Sequence, residues 1–103
     1  MLATAAAREA ENGPDFIGRA QAILRAEIRI LTGAEEARYS AFGVISAFRA
    51  PDGVAGDLGG GSVEMVDVRD QAIGDGVTLP LGGIRLQDAS GGDLREAEKI
   101  ARK

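Results

Sequence analysis

The chain of 103 residues contains no cysteine and no histidine. Their absence excludes thiol nucleophiles, imidazole bases, triads that use either group, and ordinary zinc sites. Acid–base and metal chemistry is therefore left to carboxylates, hydroxyls, arginine, lysine and backbone amides. A bound metal is expected to be a hard cation such as Mg²⁺, held by aspartate and glutamate. The lack of cysteine also fits a cytoplasmic protein.

The chain also lacks a long hydrophobic run and an excess of positive charge. Its apolar opening, residues 1–7, is too short to span a bilayer and has no basic leader. The formal net charge of −4 argues against a surface that binds nucleic acid through charge alone. We therefore expect neither a membrane nor a nucleic-acid partner.

Length and composition favour one modest soluble domain. Apolar residues make up 45% of the chain and charged residues 27%, which is typical of globular proteins. Most of the 15 glycines follow residue 50. This asymmetry indicates that backbone groups carry the chemistry of the second half.

Helices and strands alternate along the predicted chain. Residues 2–7 fit either a short strand or the first turns of an alanine-rich helix, and periodicity does not separate the two. Helix starts are indicated at Asn12-Gly13-Pro14-Asp15, at Thr32 and at residues 90–93. Strands are predicted at residues 27–31, 54–58, 63–68 and 73–81, and Gly82-Gly83 is interpreted as a breaker.

The start of the second of these helices has a specific local signal. Thr32 and Glu35 have the spacing of a capping box, in which each side chain accepts a hydrogen bond from the other residue's backbone amide. Glu35 is thereby occupied, whereas Glu36 is left on a narrow helix face. Two acids at a helix start are also favoured by the helix dipole, so this pattern alone does not indicate catalysis.

The glycine-rich segment at residues 56–64 is the strongest functional signal. Gly59, Gly60 and Gly61 allow consecutive backbone amides to approach a phosphate, and Ser62 adds a hydroxyl donor. Asp57 precedes the glycines and Glu64 follows them, where they can hold Mg²⁺ beside the phosphate. The alternatives are a plain glycine-rich turn, a turn-forming Asp57 and a solvated Glu64 on an exposed strand face.

Four segments in order resemble the exopolyphosphatase/guanosine pentaphosphate phosphohydrolase family. Residues 57–64 resemble its second phosphate motif, and residues 33–38 its Gly-x-Glu-Glu-Ala-Arg element. Residues 3–13 are similar to its Thr-x-Ala-x-Arg-x-Ala-x-Asn signature, and residues 78–83 to its Leu-Pro-Leu-Gly segment. The resemblance implies an α/β fold of the ribonuclease-H-like, actin-like ATPase kind, covering the second half of one lobe as a single partial domain, residues 1–103.

The resemblance also implies a reaction and roles for individual residues. The family removes terminal phosphates from polyphosphate, or the 5′ phosphate from guanosine pentaphosphate, with Mg²⁺. Glu36 matches its general base. Asp57 and Glu64 match its acids beside phosphate and metal, and residues 59–62 match its phosphate cradle. Arg8 matches a substrate-side signature, although it could equally pair with Glu11 or Asp15 at the surface.

One part of the family pattern is missing. Its first phosphate loop, an Asp-x-Gly-Ser-Asn-Ser element, does not occur in the sequence. Two facing loops are needed to hold a phosphate for in-line attack, so this chain alone is expected to be a fragment with little or no activity. Exposed strand edges of such a fragment would pair with another copy, so a homo-oligomer such as a dimer is expected. The alternative functions are a sugar-kinase-like or chaperone-like ATPase lobe and a non-catalytic oligomerising α/β domain.

Overall fold

The computed structural model describes all residues, 1–103, as five strands and five helices. In chain order these are β1 (Leu2–Ala3), α1 (Ala5–Glu9), α2 (Gly13–Leu24), β2 (Arg29–Ile30), α3 (Gly33–Ala47), β3 (Asp52–Leu58), β4 (Val63–Arg69), β5 (Ala72–Leu79), α4 (Gly83–Ser90) and α5 (Leu94–Ala101). The mixed α/β class expected from the sequence is confirmed.

The second half of the chain is built on a three-stranded antiparallel sheet in the order β3-β4-β5. Its central strand alternates in burial, with Glu64, Val66 and Val68 turned to the covered face. Helix α3 packs on that face through Ala37 and Ala41, both of which are fully or almost fully buried. Small side chains let the helix lie close to the sheet, so α3 is held firmly beside the hairpin of β3 and β4.

The first half of the chain contributes a separate, parallel pair of strands, β1 and β2. Leu2 pairs with Arg29 and Ala3 with Ile30, and the chain between them forms α1 and α2. The sequence leaves a strand and a helix open for residues 2–7, and the structure contains both, because the two-residue strand β1 leads into the short helix α1. Beyond β2, Leu31 is buried and the chain enters α3.

Most predicted boundaries hold within a few residues, but one helix was missed. The capping box at Thr32 and Glu35 is confirmed, and β5 ends at Leu79, two residues before the predicted end at residue 81. The predicted strand at residues 27–31 is reduced to two residues. Gly82-Gly83 was wrongly interpreted as only a breaker, because Gly82 caps a helix, α4, that runs to Ser90.

Helices α4 and α5 pack chiefly against each other at the end of the chain. Asp93 caps α5 by accepting hydrogen bonds from the amides of Arg95 and Glu96. Neither of them, nor any other helix of the chain, has the length and apolar character needed to cross a membrane.

Candidate phosphate-binding site

The turn between β3 and β4 has three consecutive backbone amides without a hydrogen-bond acceptor. The Gly59 amide closes the turn by donating to the Ser62 carbonyl at 2.9 Å. The amides of Gly60, Gly61 and Ser62 donate to no backbone or side-chain acceptor in the chain. Consecutive free amides in a tight turn are a common way to bind an anion.

The first amides of helix α4 hold this turn in place by donating hydrogen bonds to the carbonyl groups of the turn. The Gly83 amide donates to the Gly59 carbonyl, and the amides of Ile84 and Arg85 donate to the Gly60 carbonyl, each at 3.0 Å. In a trans peptide the carbonyl and the following amide point in opposite directions. The amides of Gly60 and Gly61 therefore point away from α4 and are available to a ligand.

Close contact between Gly82 and the turn explains why this position lacks a side chain. A Cβ atom on Gly82 would lie 2.3–2.4 Å from backbone atoms of Gly60, Gly61 and Ser62. On the other side of the turn, a Cβ atom on Gly61 would lie 3.0 Å from the Cβ of Ala5. The turn is thus packed between α1 and the start of α4.

A cleft of about 770 Å³ runs along the turn, with residues from both halves of the chain in its walls. It contains Glu36, Asp57, Glu64 and all four turn residues that the sequence had singled out. Arg8 does not line this cleft but lies in an adjoining recess. The structure therefore brings the predicted residues to one place, although their roles stay predictions.

The two acids that flank the turn are direct cross-strand partners. Asp57 on β3 pairs with Glu64 on β4 in the antiparallel register. The hydroxyl of Ser40 on α3 donates to Oδ2 of Asp57 at 2.6 Å. Glu64 is 3% exposed, and its Oε1 is buried without a hydrogen-bond partner. The interpretation of Glu64 as a solvated surface acid is therefore wrong.

The adjacent glutamates at the start of α3 occupy different environments. Glu35 closes the capping box with Thr32 and pairs with Arg29. Hydrogen bonds from the Thr32 backbone and side chain, followed by the charge and hydrogen bond of Arg29, lower the pKa of Glu35. Glu36 instead lines the cleft, where its Oε1 accepts from Arg8 at 2.5 Å.

Arg8 is fixed by partners other than those suggested by the sequence. Its guanidinium donates to Glu36 and to the Leu31 carbonyl, each at 2.5 Å, and lies 3.7 Å from Glu9. Pairing of Arg8 with Glu11 or Asp15 is therefore wrong. Helix α1, which follows Thr4, turns Arg8 towards β2 and α3, so the ion pair joins α1 to α3 beside the cleft.

The charges of the cleft fit a site for a hard cation together with a phosphate. Four carboxylates and one arginine line it, so an anionic ligand alone would meet an unfavourable field. No group of three or more acids forms a ready metal cage. Mg²⁺ typically takes one or two carboxylates and completes its shell with waters and substrate phosphate, which is the donor set that Asp57, the unpartnered Glu64 oxygen and the turn provide.

Three cleft residues were missed by the sequence analysis. Ser40 has no signal of its own within the helix predicted to start at Thr32, and Glu9 lies inside the segment of residues 3–13 without an assigned role. Arg85 follows Gly82-Gly83, and it lines the cleft because α4 starts there. A polar residue that reaches a site through a tertiary contact leaves no periodic signal in the sequence.

Comparisons with known proteins show which family and solved structures the chain resembles. A model of the Ppx/GppA phosphatase family matches residues 1–99. A solved structure of an exopolyphosphatase-like protein superposes with a TM-score of 0.82 at 26% identity, over 97% of this chain and 35% of that protein. An exopolyphosphatase from Cytophaga hutchinsonii superposes with a TM-score of 0.79 at 31% identity, over 84% of this chain and 28% of that protein. The Ppx/GppA family member from Aquifex aeolicus superposes with a TM-score of 0.70 at 25% identity, over 98% of this chain and 35% of that protein.

The fold and these similarities define a protein of the actin-like ATPase fold, of which the chain covers a part. Within that class, the chain belongs to the Ppx/GppA phosphatase family. It spans about a third of the length of the solved relatives.

Proposed function

We propose that this chain supplies the phosphate-binding turn, the metal-binding acids and the water-activating carboxylate of a magnesium-dependent phosphohydrolase. Its substrate would be the terminal phosphate of inorganic polyphosphate or the 5′ phosphate of guanosine pentaphosphate. The observation that supports this most is the set of three free amides of Gly60, Gly61 and Ser62 in a cleft whose four carboxylates include Glu36, Asp57 and Glu64.

The turn would bind the phosphoryl group that is transferred. Three amides from successive residues and the Ser62 hydroxyl can donate to oxygens of one phosphate. Because the carbonyl groups of Gly59 and Gly60 are already bonded to α4, the amides of Gly60 and Gly61 need little rearrangement when the ligand arrives. Donors fixed in advance stabilise the charge that spreads over the phosphoryl oxygens in the transition state.

Asp57 and Glu64 would be the residues that hold Mg²⁺. When bound, the cation offsets the negative charge of the phosphate and of the two acids. Ser40 keeps one oxygen of Asp57 in place by its hydrogen bond. Such outer-shell hydrogen bonds usually orient metal-binding carboxylates.

Glu36 would act on the attacking water. It lies in the cleft at the start of α3, free of the capping interaction that occupies Glu35. Its carboxylate would orient a water molecule and accept a proton as the water oxygen bonds to the terminal phosphorus. The bridging P–O bond breaks, and the shortened chain leaves with the electron pair of that bond. Arg8 fixes the carboxylate by its ion pair.

The test is phosphate release from tripolyphosphate and from guanosine pentaphosphate by the longest natural protein that contains residues 1–103. Glu36→Gln should lower turnover by about 100-fold or more and leave binding of substrate intact. Glu98→Gln, on the exposed side of α5, is the matched control and should retain full activity. Full activity of Glu36→Gln would refute the role of Glu36, and absence of release from both substrates by the wild type would refute the proposed function.

A further inference from the structure

A second recess, of about 700 Å³, adjoins the cleft at the phosphate-binding turn. The two share Glu9, Ser62 and Arg85 in their walls. The recess also contains Arg8 and Thr78. Ser62 is almost fully buried between them, so a ligand at the turn lies next to the recess.

The recess has the opposite charge to the cleft. Two arginines and one glutamate line it, whereas four carboxylates and one arginine line the cleft. Glu9 lies between the two arginines: its Oε1 is 3.7 Å from Arg8, and its Oε2 accepts a hydrogen bond from Arg85. Arg8 has further partners in Glu36 and the Leu31 carbonyl, but Glu9 is the only acidic partner of Arg85. Arg85 is therefore the cation that a ligand can engage by displacing a single contact.

The fold ties the position of Arg85 to the turn. Arg85 is the third residue of α4, and its own amide donates to the Gly60 carbonyl at 3.0 Å. Its guanidinium is about half-exposed at the place where the recess and the cleft meet. A ligand whose first phosphate is held by the turn would thus present its next phosphate close to this side chain. A guanidinium matches two oxygens of a phosphate with two parallel hydrogen bonds.

We propose that Arg85 binds the second phosphate of a phosphate chain, and that Glu9 is the resident counter-ion which this phosphate displaces. This inference rests on the proposed function, because it takes the terminal phosphate to lie at the turn. It makes the recess a specificity element that separates ligands with linked phosphates from a single phosphate. Glu9 pairs with Arg85 in the absence of ligand and lowers the affinity for the phosphate chain by competing with it.

Calorimetric titration of the full chain in Mg²⁺ tests this, with inorganic phosphate and tripolyphosphate as separate ligands. Arg85→Gln should weaken tripolyphosphate binding about tenfold or more and leave binding of inorganic phosphate unchanged. Glu9→Gln should strengthen tripolyphosphate binding, since Arg85 then loses its competitor. Arg95→Gln removes the same charge from α5, outside both the cleft and the recess, and should bind both ligands as the wild type does.

The outcomes separate this inference from the proposed function. If the wild type binds neither ligand, the phosphate site itself is refuted. If the wild type binds both and Arg85→Gln behaves as Arg95→Gln does, the inference is refuted while the phosphate site stands. Loss of inorganic phosphate binding in Arg85→Gln would show a structural role instead and would also overturn the inference. A weaker affinity of Glu9→Gln for tripolyphosphate would contradict the role of Glu9 as a counter-ion that the phosphate displaces.

Discussion

Asp57 and Glu64 lie directly opposite each other on neighbouring antiparallel strands, and one of these two like-charged groups is buried with an unpartnered oxygen. Like charges in this arrangement destabilise a sheet, and a buried carboxylate without a partner loses its hydration. Both penalties are relieved if a divalent cation binds to the two acids. Under the proposed function, the acid pair would therefore make the stability of the chain depend on Mg²⁺.

Glu64→Gln should raise the free energy of unfolding by about 1 kcal/mol in the presence of a chelator, because a neutral amide is easier to bury than an unpaired carboxylate. The same variant should lose most of the stabilisation that Mg²⁺ gives the wild type. Urea denaturation with and without Mg²⁺ measures both effects. Glu11→Gln, at an exposed position, is the control, and a less stable Glu64→Gln in chelator would contradict this account.

Ser40→Ala should weaken Mg²⁺ binding about tenfold, since Asp57 then loses the hydrogen bond that orients it. Ser46→Ala is matched in chemistry and lies on the same helix, where its hydroxyl bonds only to the Phe42 carbonyl. Magnesium titration followed by calorimetry distinguishes them. Equal affinities of the two variants would show that Ser40 does not position Asp57.

Gly82→Ala should destabilise the chain by about 1–3 kcal/mol and abolish phosphate binding, because the added methyl group would press on the turn backbone. Gly83→Ala adds the same atom next to it, where no atom lies within 4 Å. That neighbouring variant should bind phosphate normally. Chemical denaturation and phosphate titration of the two variants, Gly82→Ala and Gly83→Ala, check the packing of α4 on the turn. Normal phosphate binding by Gly82→Ala would contradict the importance of this packing for the site.

The capping box makes part of the stability of α3 depend on pH. Hydrogen bonds from Thr32 lower the pKa of Glu35 below its ordinary value of 4.5, so the folded state favours the ionised form. The resulting stability is present above the pKa of the unfolded chain and is lost as the pH falls through the lowered pKa. Glu35→Gln should therefore lose less stability than the wild type on acidification below about pH 4.5, as measured by urea denaturation. An identical acid dependence of the two proteins would contradict this role of Glu35.

Local signals allowed the sequence to predict the parts of the site that depend on neighbours in the chain. The capping box joins residues three apart, and two short predicted strands, residues 54–58 and 63–68, flank the glycines. These elements place Glu36, Asp57 and Glu64. The resemblance of four motifs in order then gave the family and the fold, both of which the comparisons confirm.

The remaining features depend on contacts between distant segments. Helix α4 begins at the second of two glycines that favour a break, but the carbonyl groups of Gly59 and Gly60 accept hydrogen bonds from its first amides. The β1–β2 pair is only two residues long, which is too short for a periodic pattern. The Arg8–Glu36 pair joins residues 28 positions apart, so neither it nor the place of Arg85 had a local signature.

The central claim is that the turn and the acid pair together form one magnesium-dependent phosphate site. Calorimetric titration of inorganic phosphate into the full chain, in Mg²⁺ and in chelator, tests it most directly when repeated with Asp57→Asn. Phosphate should bind the wild type measurably only when Mg²⁺ is present, and Asp57→Asn should lose this binding. Equal phosphate affinity with and without Mg²⁺, or unchanged magnesium-dependent binding in Asp57→Asn, would contradict it.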